Sequence, residues 1–418
     1  MKIRIKYLLI ILLIQILLSI IIRIINFQRK LKDDDDFNYI FYNKTTYPEE
    51  KFDSYKEAFN KAKNFIQNNL EGKLINTKNI KLSKEPEISV VIPCYNCKKY
   101  ILRALKSIQG QNFSNFEIII VDDGSKFDTK IFIKQFQKEE NRIRIIHNKK
   151  NMGLLYTRCI GSLSANGKYI FPIDSDDMIL DKDVFYILIT IAMKGDFDII
   201  IYNSITTSLE PDINTTEFAP TNFDKKHQPN CVLFQPDLGY YHIAPSYNLE
   251  KFYLNDELIH GKFFKTNVYK LALNKLGKER YSRYLILAED DIVNNCIFNI
   301  AKNAKFLAKY GYLFINNNNS FSKLQNDKVQ RARDYLYLLD PLIDFSLNLP
   351  RNKKVLVNFI IFLLKNEYLK DLLNKNEYDN KLFISCLDRI FNCKYISDKY
   401  KNEIRKRCKM LRFIKYKF

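Results

Sequence analysis

The chain has 418 residues, 46% of them hydrophobic, with only 11 Gly and 11 Pro. That is enough apolar material for a sizeable core plus an accessory element, and it excludes a collagenous or linker-dominated chain. The net charge of +20 would suit nucleic acid, anionic lipid or an acidic substrate. It is unevenly spread: residues 351–418 carry 18 basic and 7 acidic side chains. No zinc-finger spacing, RNP-like run or basic region with heptads accompanies them, so no nucleic-acid partner is expected, and the tail reads as a solvated basic helical region.

Residues 1–6 are basic, and residues 7–25 form an apolar run broken only by Gln15, Ser19 and Arg23. Roughly 19 residues make one bilayer's worth of helix. No small-x-small cleavage site follows, so an uncleaved single-pass signal-anchor is expected. Lys2, Arg4 and Lys6 precede it and Arg29, Lys30 and Lys32 follow it. We take residues 1–6 as a cytoplasmic tail and the body as lumenal, a type II arrangement of the Golgi or endoplasmic reticulum. N-glycosylation acceptor patterns at Asn43, Asn112, Asn214 and Asn318 agree with that orientation.

Residues 26–86 read as a stem. Pro48 and two acids open a helix in it, and Tyr55, Ala58, Phe59, Ala62, Phe65 and Ile66 recur at helical spacing until Gly72. That stripe would pack on the protein's body or on the stem of a second copy, as in a homo-oligomer. From Glu87 short apolar runs alternate with amphipathic segments. Strands are expected at 88–92, 117–121, 142–146, 169–173 and 198–201, with helices at 98–109, 129–138, 154–165 and 184–192. Apolar strands alternating with helices predict an α/β fold, a mostly parallel Rossmann-like sheet covered on both faces. Residues 203–258 give no assignment. A strand or helix pair follows at 263–276, then a helix from the acids at 289–291 to Ile300. From about residue 323 the pattern is helical, and residues 355–364, although apolar, are too few to span a bilayer.

Eight cysteines are scattered, with one C-x-x-C at Cys94 and Cys97. No second pair accompanies it, so structural thiols are expected there. A disulfide between two of Cys386, Cys393 and Cys408 is open if the tail is lumenal.

Polar clusters follow each of the first four strands: Pro93, Cys94, Tyr95 and Asn96; then Asp122, Asp123, Gly124 and Ser125; then residues 148–153; then Asp174, Ser175, Asp176 and Asp177. In an open α/β sheet these would converge on one crevice at the carboxyl ends of the strands. Asp and Asn are also good turn formers and caps, which accounts for any one cluster but poorly for carboxylates recurring after two apolar strands. Asp174 and Asp176 offer two carboxylates on one loop, suited to Mg²⁺ or Mn²⁺ against a diphosphate. No glycine-rich dinucleotide fingerprint or P-loop is present.

These motifs, with Asn151, Gly153, Arg158, Glu289 and Asp290, make residues 87–320 resemble a family-2 glycosyltransferase of the nucleotide-sugar-binding fold called GT-A, with 321–418 a basic helical region behind it. The resemblance implies an inverting transfer of a sugar, a hexose or N-acetylhexosamine, from a nucleotide donor, usually a UDP-sugar, to a glycan, protein or lipid acceptor. It implies a donor site of Pro93, Tyr95, Asn96, Asp122, Asp123, Arg158, Asp174 and Ser175. Within it Tyr95 stacks on the base, Asp122 or Asp123 meets the base's polar edge, Asp174 lies near the ribose, and Arg158 faces the pyrophosphate or braces the carboxylates. Asp176 would ligate the metal and Asp290 would be the general base, with Asp291 as its neighbour and alternative. The sequence departs from the family pattern at Cys159, where Asn is usual, and at residues 260–263, where no Trp is found; the second departure leaves the acceptor open. The competing readings are a nucleotidyltransferase and a catalytically inactive carbohydrate-binding scaffold of the same fold.

Overall fold

The computed structural model describes residues 83–207, 259–285, 289–315, 327–347, 353–394 and 396–410. The expected anchor at 7–25 and the stem helix lie outside the described residues. Among the described residues no helix is long and apolar enough to cross a membrane.

Eight strands form one sheet: β1 (Ile88–Cys94), β2 (Phe116–Asp122), β3 (Ile143–His147), β4 (Tyr169–Pro172), β5 (Met178–Ile179), β6 (Ile199–Thr207), β7 (Lys262–Lys265) and β8 (Ala304–Ile315). Their order is β3-β2-β1-β4-β7-β6-β8-β5. The first four strands are mutually parallel, as the apolar runs predict. Every residue of β1 and β2 is buried, the condition in which a strand reads as a continuous apolar run. Alternate residues serve opposite faces: Val90, Ile92, Ile118 and Ile120 enter one core, and Val91, Ile119 and Val121 the other. Each fully buried aliphatic side chain of this kind is worth about 1.5–3 kcal/mol.

Beyond β4 the sheet departs from a simple parallel pattern. β7 runs antiparallel between β4 and β6, and β8 returns parallel to β6. Two strands were not foreseen. β5 has only two residues and exists because it pairs with β8, and β8 mixes Lys, Tyr and Gly with its apolar residues, so neither carries a legible period.

Helices α1 (Ile101–Gln109), α2 (Phe127–Glu139) and α4 (Val184–Gly195) contribute to one core. Helices α3 (Leu154–Leu163), α5 (Thr266–Leu276) and α7 (Glu289–Phe298) contribute to the other, with the single turn α6 (Lys278–Tyr281) beside them. A Cβ built at Gly161 on α3 would lie 2.5 Å from Val91 Cγ1 and 2.9 Å from Val121 Cγ2. The helix therefore rests on the sheet with no room for a side chain at that point.

Five further helices follow: α8 (Lys328–Leu347), α9 (Lys353–Lys365), α10 (Glu367–Lys375), α11 (Glu377–Asn392) and α12 (Asp398–Met410). They enclose a third core. The apolar segment at 355–364 lies in α9, which buries Leu356, Val357, Ile360, Leu363 and Leu364 in that core. Helix α8 serves two cores, with Leu338 and Phe345 toward the sheet and Leu336, Leu339, Leu342 and Ile343 toward the helices. Asp340 on α8 accepts from Arg280 Nε (3.0 Å), Arg283 Nη1 (2.6 Å) and Arg389 Nη2 (2.6 Å), while Asp344 adds Arg389 Nη1 (2.6 Å) and Arg280. One carboxylate thus ties the loop after α6 to α8 and α11.

The disulfide left open within the tail is not formed. Cys386, Cys393 and Cys408 are free and buried, each filling the helical core. The disulfide is Cys94–Cys97, contrary to the structural thiols expected there. The short 3₁₀ turn at Cys97–Lys99 folds the chain back after β1, which sets the two Cα atoms 5.4 Å apart.

Two outcomes are expected. Gly161→Ala, which in an open helix would gain about 1 kcal/mol, should instead lose about 1–3 kcal/mol by overpacking against the two valines; a raised or unchanged urea midpoint would contradict the packing. Burial alone would raise the Asp340 carboxyl, but the hydrogen bonds and charges of Arg280 and Arg283 outweigh it and hold it at about 2. A depressed pKa gives stability that is full above the unfolded value of about 3.9 and is lost as pH falls toward the folded one. Asp340→Asn should therefore be less stable at neutral pH and show a flatter loss of stability than the native chain between about pH 4 and pH 2, followed by circular dichroism.

Candidate active site

The loops after β1, β2 and β3 are fastened to one another by the polar side chains that follow those strands. The Asp123 N–H donates to the Cys94 carbonyl at 2.8 Å. Asn96, in the left-handed region at φ 51°, donates its N–H to Ser125 Oγ (2.9 Å) and accepts the Lys126 N–H on Oδ1 (2.9 Å). Asp122 is fully buried; its Oδ1 accepts the Ser125 N–H (3.0 Å) and its Oδ2 lies 2.9 Å from His147 Nδ1. Asp123 accepts Asn148 Nδ2 and the Met152 N–H on Oδ1 (both 2.8 Å) and the Gly153 N–H on Oδ2 (2.9 Å). Tyr95 projects from this framework with 47% of its surface exposed.

The acids after β4 divide. Asp177 turns inward and is buried; it accepts the Tyr312 hydroxyl (2.6 Å) and the Ile315 N–H (2.8 Å). Burial, first, and the neighbouring Asp176 and Asp174 push its carboxyl well above the usual range. The same Tyr312 hydroxyl accepts the Asp174 N–H at 3.2 Å, so β8 anchors the loop. Arg103 on α1 donates to the Asp176 carbonyl from Nε (3.0 Å) and from Nη2. Asp174, Ser175 and Asp176 are left partly exposed.

Arg158 joins this loop to α7. It is 1% exposed, and its Nη2 donates to Asp174 Oδ1 at 2.7 Å while Nη1 donates to Asp290 Oδ1. Burial disfavours its charge, but Asp174 and Glu289 more than offset that and raise its pKa. Asp290 Oδ2 accepts the Ile259 N–H at 3.0 Å. Glu289, Asp290 and Asp291 occupy the first turn of α7, where the helix dipole favours negative charge. Cys159, next to Arg158, is a buried core residue.

The structure therefore brings Asp174 and Asp290 together through Arg158, and places Pro93 and Asp122 at the ends of β1 and β2 and Tyr95, Asn96 and Asp123 in the linked loops that follow. Sequence reasoning missed Arg103 and Tyr312, whose roles depend on where α1 and β8 lie. His260 is buried in a stack on β8, with ring centroids 4.8 Å from Tyr312 and 5.2 Å from Phe314. Burial and Lys262 push its pKa down to about 3. No cluster of three or more His, Cys, Asp or Glu able to hold a metal ion occurs among the described residues. The two carboxylates of Asp174 and Asp176 still fit a hard cation that keeps water and phosphate oxygens as its other ligands.

Arg158→Met would leave Asp174 and Asp290 without their shared cation. A loss of about 3–5 kcal/mol is expected, read as a fall in the urea midpoint; an unchanged midpoint would show that the bridge is not holding the site.

Residues 89–241 match the family model described as glycosyl transferase family 2. Glycosyltransferase GlyG of Streptococcus pneumoniae serotype 4 is 35% identical over 116 residues, 28% of this chain and 38% of that protein. GlyA of the same organism is 24% identical over 248 residues, 59% of this chain and 33% of that protein. The chain thus spans about a third of the length of these relatives. The crystal structure of Staphylococcus aureus TarS 1-349 in complex with UDP-GlcNAc superposes with a TM-score of 0.52 at 17% identity, covering 77% of this chain and 88% of that one, a likeness of fold. Family model, relatives and fold agree on one class: the chain is similar to family-2 glycosyltransferases and carries their α/β fold.

Proposed function

We propose that the chain transfers a sugar from a nucleoside-diphosphate donor, a UDP-sugar, to a hydroxyl of a glycan, protein or lipid acceptor, with inversion at the anomeric carbon. The observation that carries this reading is the Arg158 bridge, which sets Asp290 beside the Asp174 loop at the carboxyl end of β4. The UDP-GlcNAc complex of the similarly folded S. aureus protein supports a UDP-sugar as donor. In this reading Tyr95 stacks on the base and Asp123 lies at its polar edge, with Asp122 holding the loop behind it. Asp174 and Ser175 lie along the ribose and diphosphate.

The acceptor oxygen bonds to the anomeric carbon as the bond from that carbon to the diphosphate oxygen breaks. The acceptor proton passes to Asp290 Oδ2, whose other partner is the Ile259 N–H. One base on the face opposite the leaving group suffices for inversion. Arg158 aims that base by holding the second carboxylate oxygen. Asp176, with Asp174 beside it, would hold Mg²⁺ or Mn²⁺, which supplies charge neutralisation at the departing diphosphate. Anchoring through residues 7–25, a lumenal body and pairing through the stem belong to the same reading.

The test is release of nucleoside diphosphate by the purified full chain from several UDP- and GDP-sugars, with Mn²⁺ or with EDTA. Metal-dependent release is expected from one donor, with Asp176→Asn abolishing it. Asp290→Asn should slow transfer by about 100-fold or more while leaving donor affinity unchanged. If no donor is turned over or bound, an inactive scaffold replaces the transferase reading.

A further inference from the structure

Tyr284 lies on the segment after α6 and is 41% exposed, although both neighbours are fixed. Arg283 is bonded to Asp340 and covers the Tyr337 ring at 5.3 Å, and Leu285 is buried in the core. The Tyr284 ring lies against Gly153: a Cβ built there would be 3.1 Å from Tyr284 Cδ2 and 3.4 Å from Cε2. Gly153 has a φ of +91°, so glycine suits the backbone as well as the close approach of the ring.

Gly153 is the residue whose N–H binds the Asp123 carboxylate. The Asp123 N–H in turn binds the carbonyl of Cys94, the residue before Tyr95. Asp123 is thus linked on one side to the residue beside Tyr95 and on the other to the glycine against which Tyr284 lies. Burial, first, and the nearby Tyr95 and Asp123 raise the Tyr284 phenol above its ordinary value, which agrees with that proximity. Two large aromatic rings are thus left partly exposed, one on the residue after Cys94 and one against Gly153, the two residues that Asp123 links, and they present apolar surface that a flat aromatic ligand would cover.

We propose that Tyr284 is a second aromatic wall of the nucleobase site, opposite Tyr95, with Asp123 between the two rings. The base of the donor slides between the rings, and its polar edge meets the Asp123 end of the cleft. Tyr284 is therefore a residue that sets affinity for the nucleoside and takes no part in the chemistry. This assignment rests on the nucleotide-donor reading above.

The experiment is titration calorimetry of the full chain with UDP and, separately, with inorganic pyrophosphate, in Mg²⁺. Stacking of a base on an aromatic side chain is worth about 5- to 150-fold in affinity. Tyr284→Ala should weaken UDP by about 10-fold or more and leave pyrophosphate unchanged, with Tyr284→Phe within about 2-fold of the native chain. Tyr284→Leu, which keeps an apolar contact with Gly153 but no flat ring, should fall with the alanine variant, and both should keep the native Tm. If the native chain binds UDP and Tyr284→Ala binds it equally well, the second wall is wrong and the donor reading stands. A phenylalanine variant as weak as the alanine one would move the effect to the hydroxyl and overturn stacking. If the native chain binds no nucleotide at all, the donor reading fails and takes this assignment with it.

Discussion

A guanidinium sealed from solvent inside an α/β core has to be matched by carboxylates, and at Arg158 that requirement organises the site. Two acids far apart in sequence, Asp174 and Asp290, are drawn to one cation. Leaving a buried charge unpaired would cost several kcal/mol, so the β4 loop and the start of α7 are fixed in position relative to α3. That arrangement in turn requires α3 to lie flat on β1 and β2, which Gly161 permits. Packing of a helix on a sheet and placement of the carboxylates are thus one constraint seen from two sides.

The acids that follow the strands do different work. Asp122, Asp123 and Asp177 are buried and held by hydrogen bonds from the protein, as buried carboxylates must be. Their carboxylates tie β2 to β3 and β4 to β8. Asp174, Asp176 and Asp290 remain partly exposed. The description of Asp as a turn and loop-fastening residue therefore fits the first three, and the second three keep exposed surface of their own. The residue types are the same in both groups, and burial distinguishes them.

The basic helical region is coupled to the sheet by charge as well as by apolar packing. Asp340 gathers three arginines from two sides, and Leu338 and Phe345 of the same helix enter the sheet-side core. One consequence reaches the site: the segment Arg280 to Leu285, which carries Tyr284, is pinned by α8. Part of the tail's positive charge is therefore structural, neutralised by Asp340, Asp344 and Asp379, and does not face solvent as a uniform surface.

Local pattern in the chain was enough to determine the first four strands, the helices between them and the helical character of the tail. A strand buried on both faces has to be apolar throughout, and an amphipathic helix has to repeat every three or four residues. The clustering of polar residues after those strands was legible for the same reason, because strand direction fixes which end the loops share. What only the tertiary structure decided was everything that depends on partners distant in sequence. β5 exists through its pairing with β8, and β8 through its pairing with β6; the three tail cysteines are each sealed in a core. Arg103, Tyr312 and Tyr284 acquire their places from elements distant in sequence. Which aspartate is saturated and which is left open depends on the donors that packing brings to it, and a single sequence contains the donors without the distances.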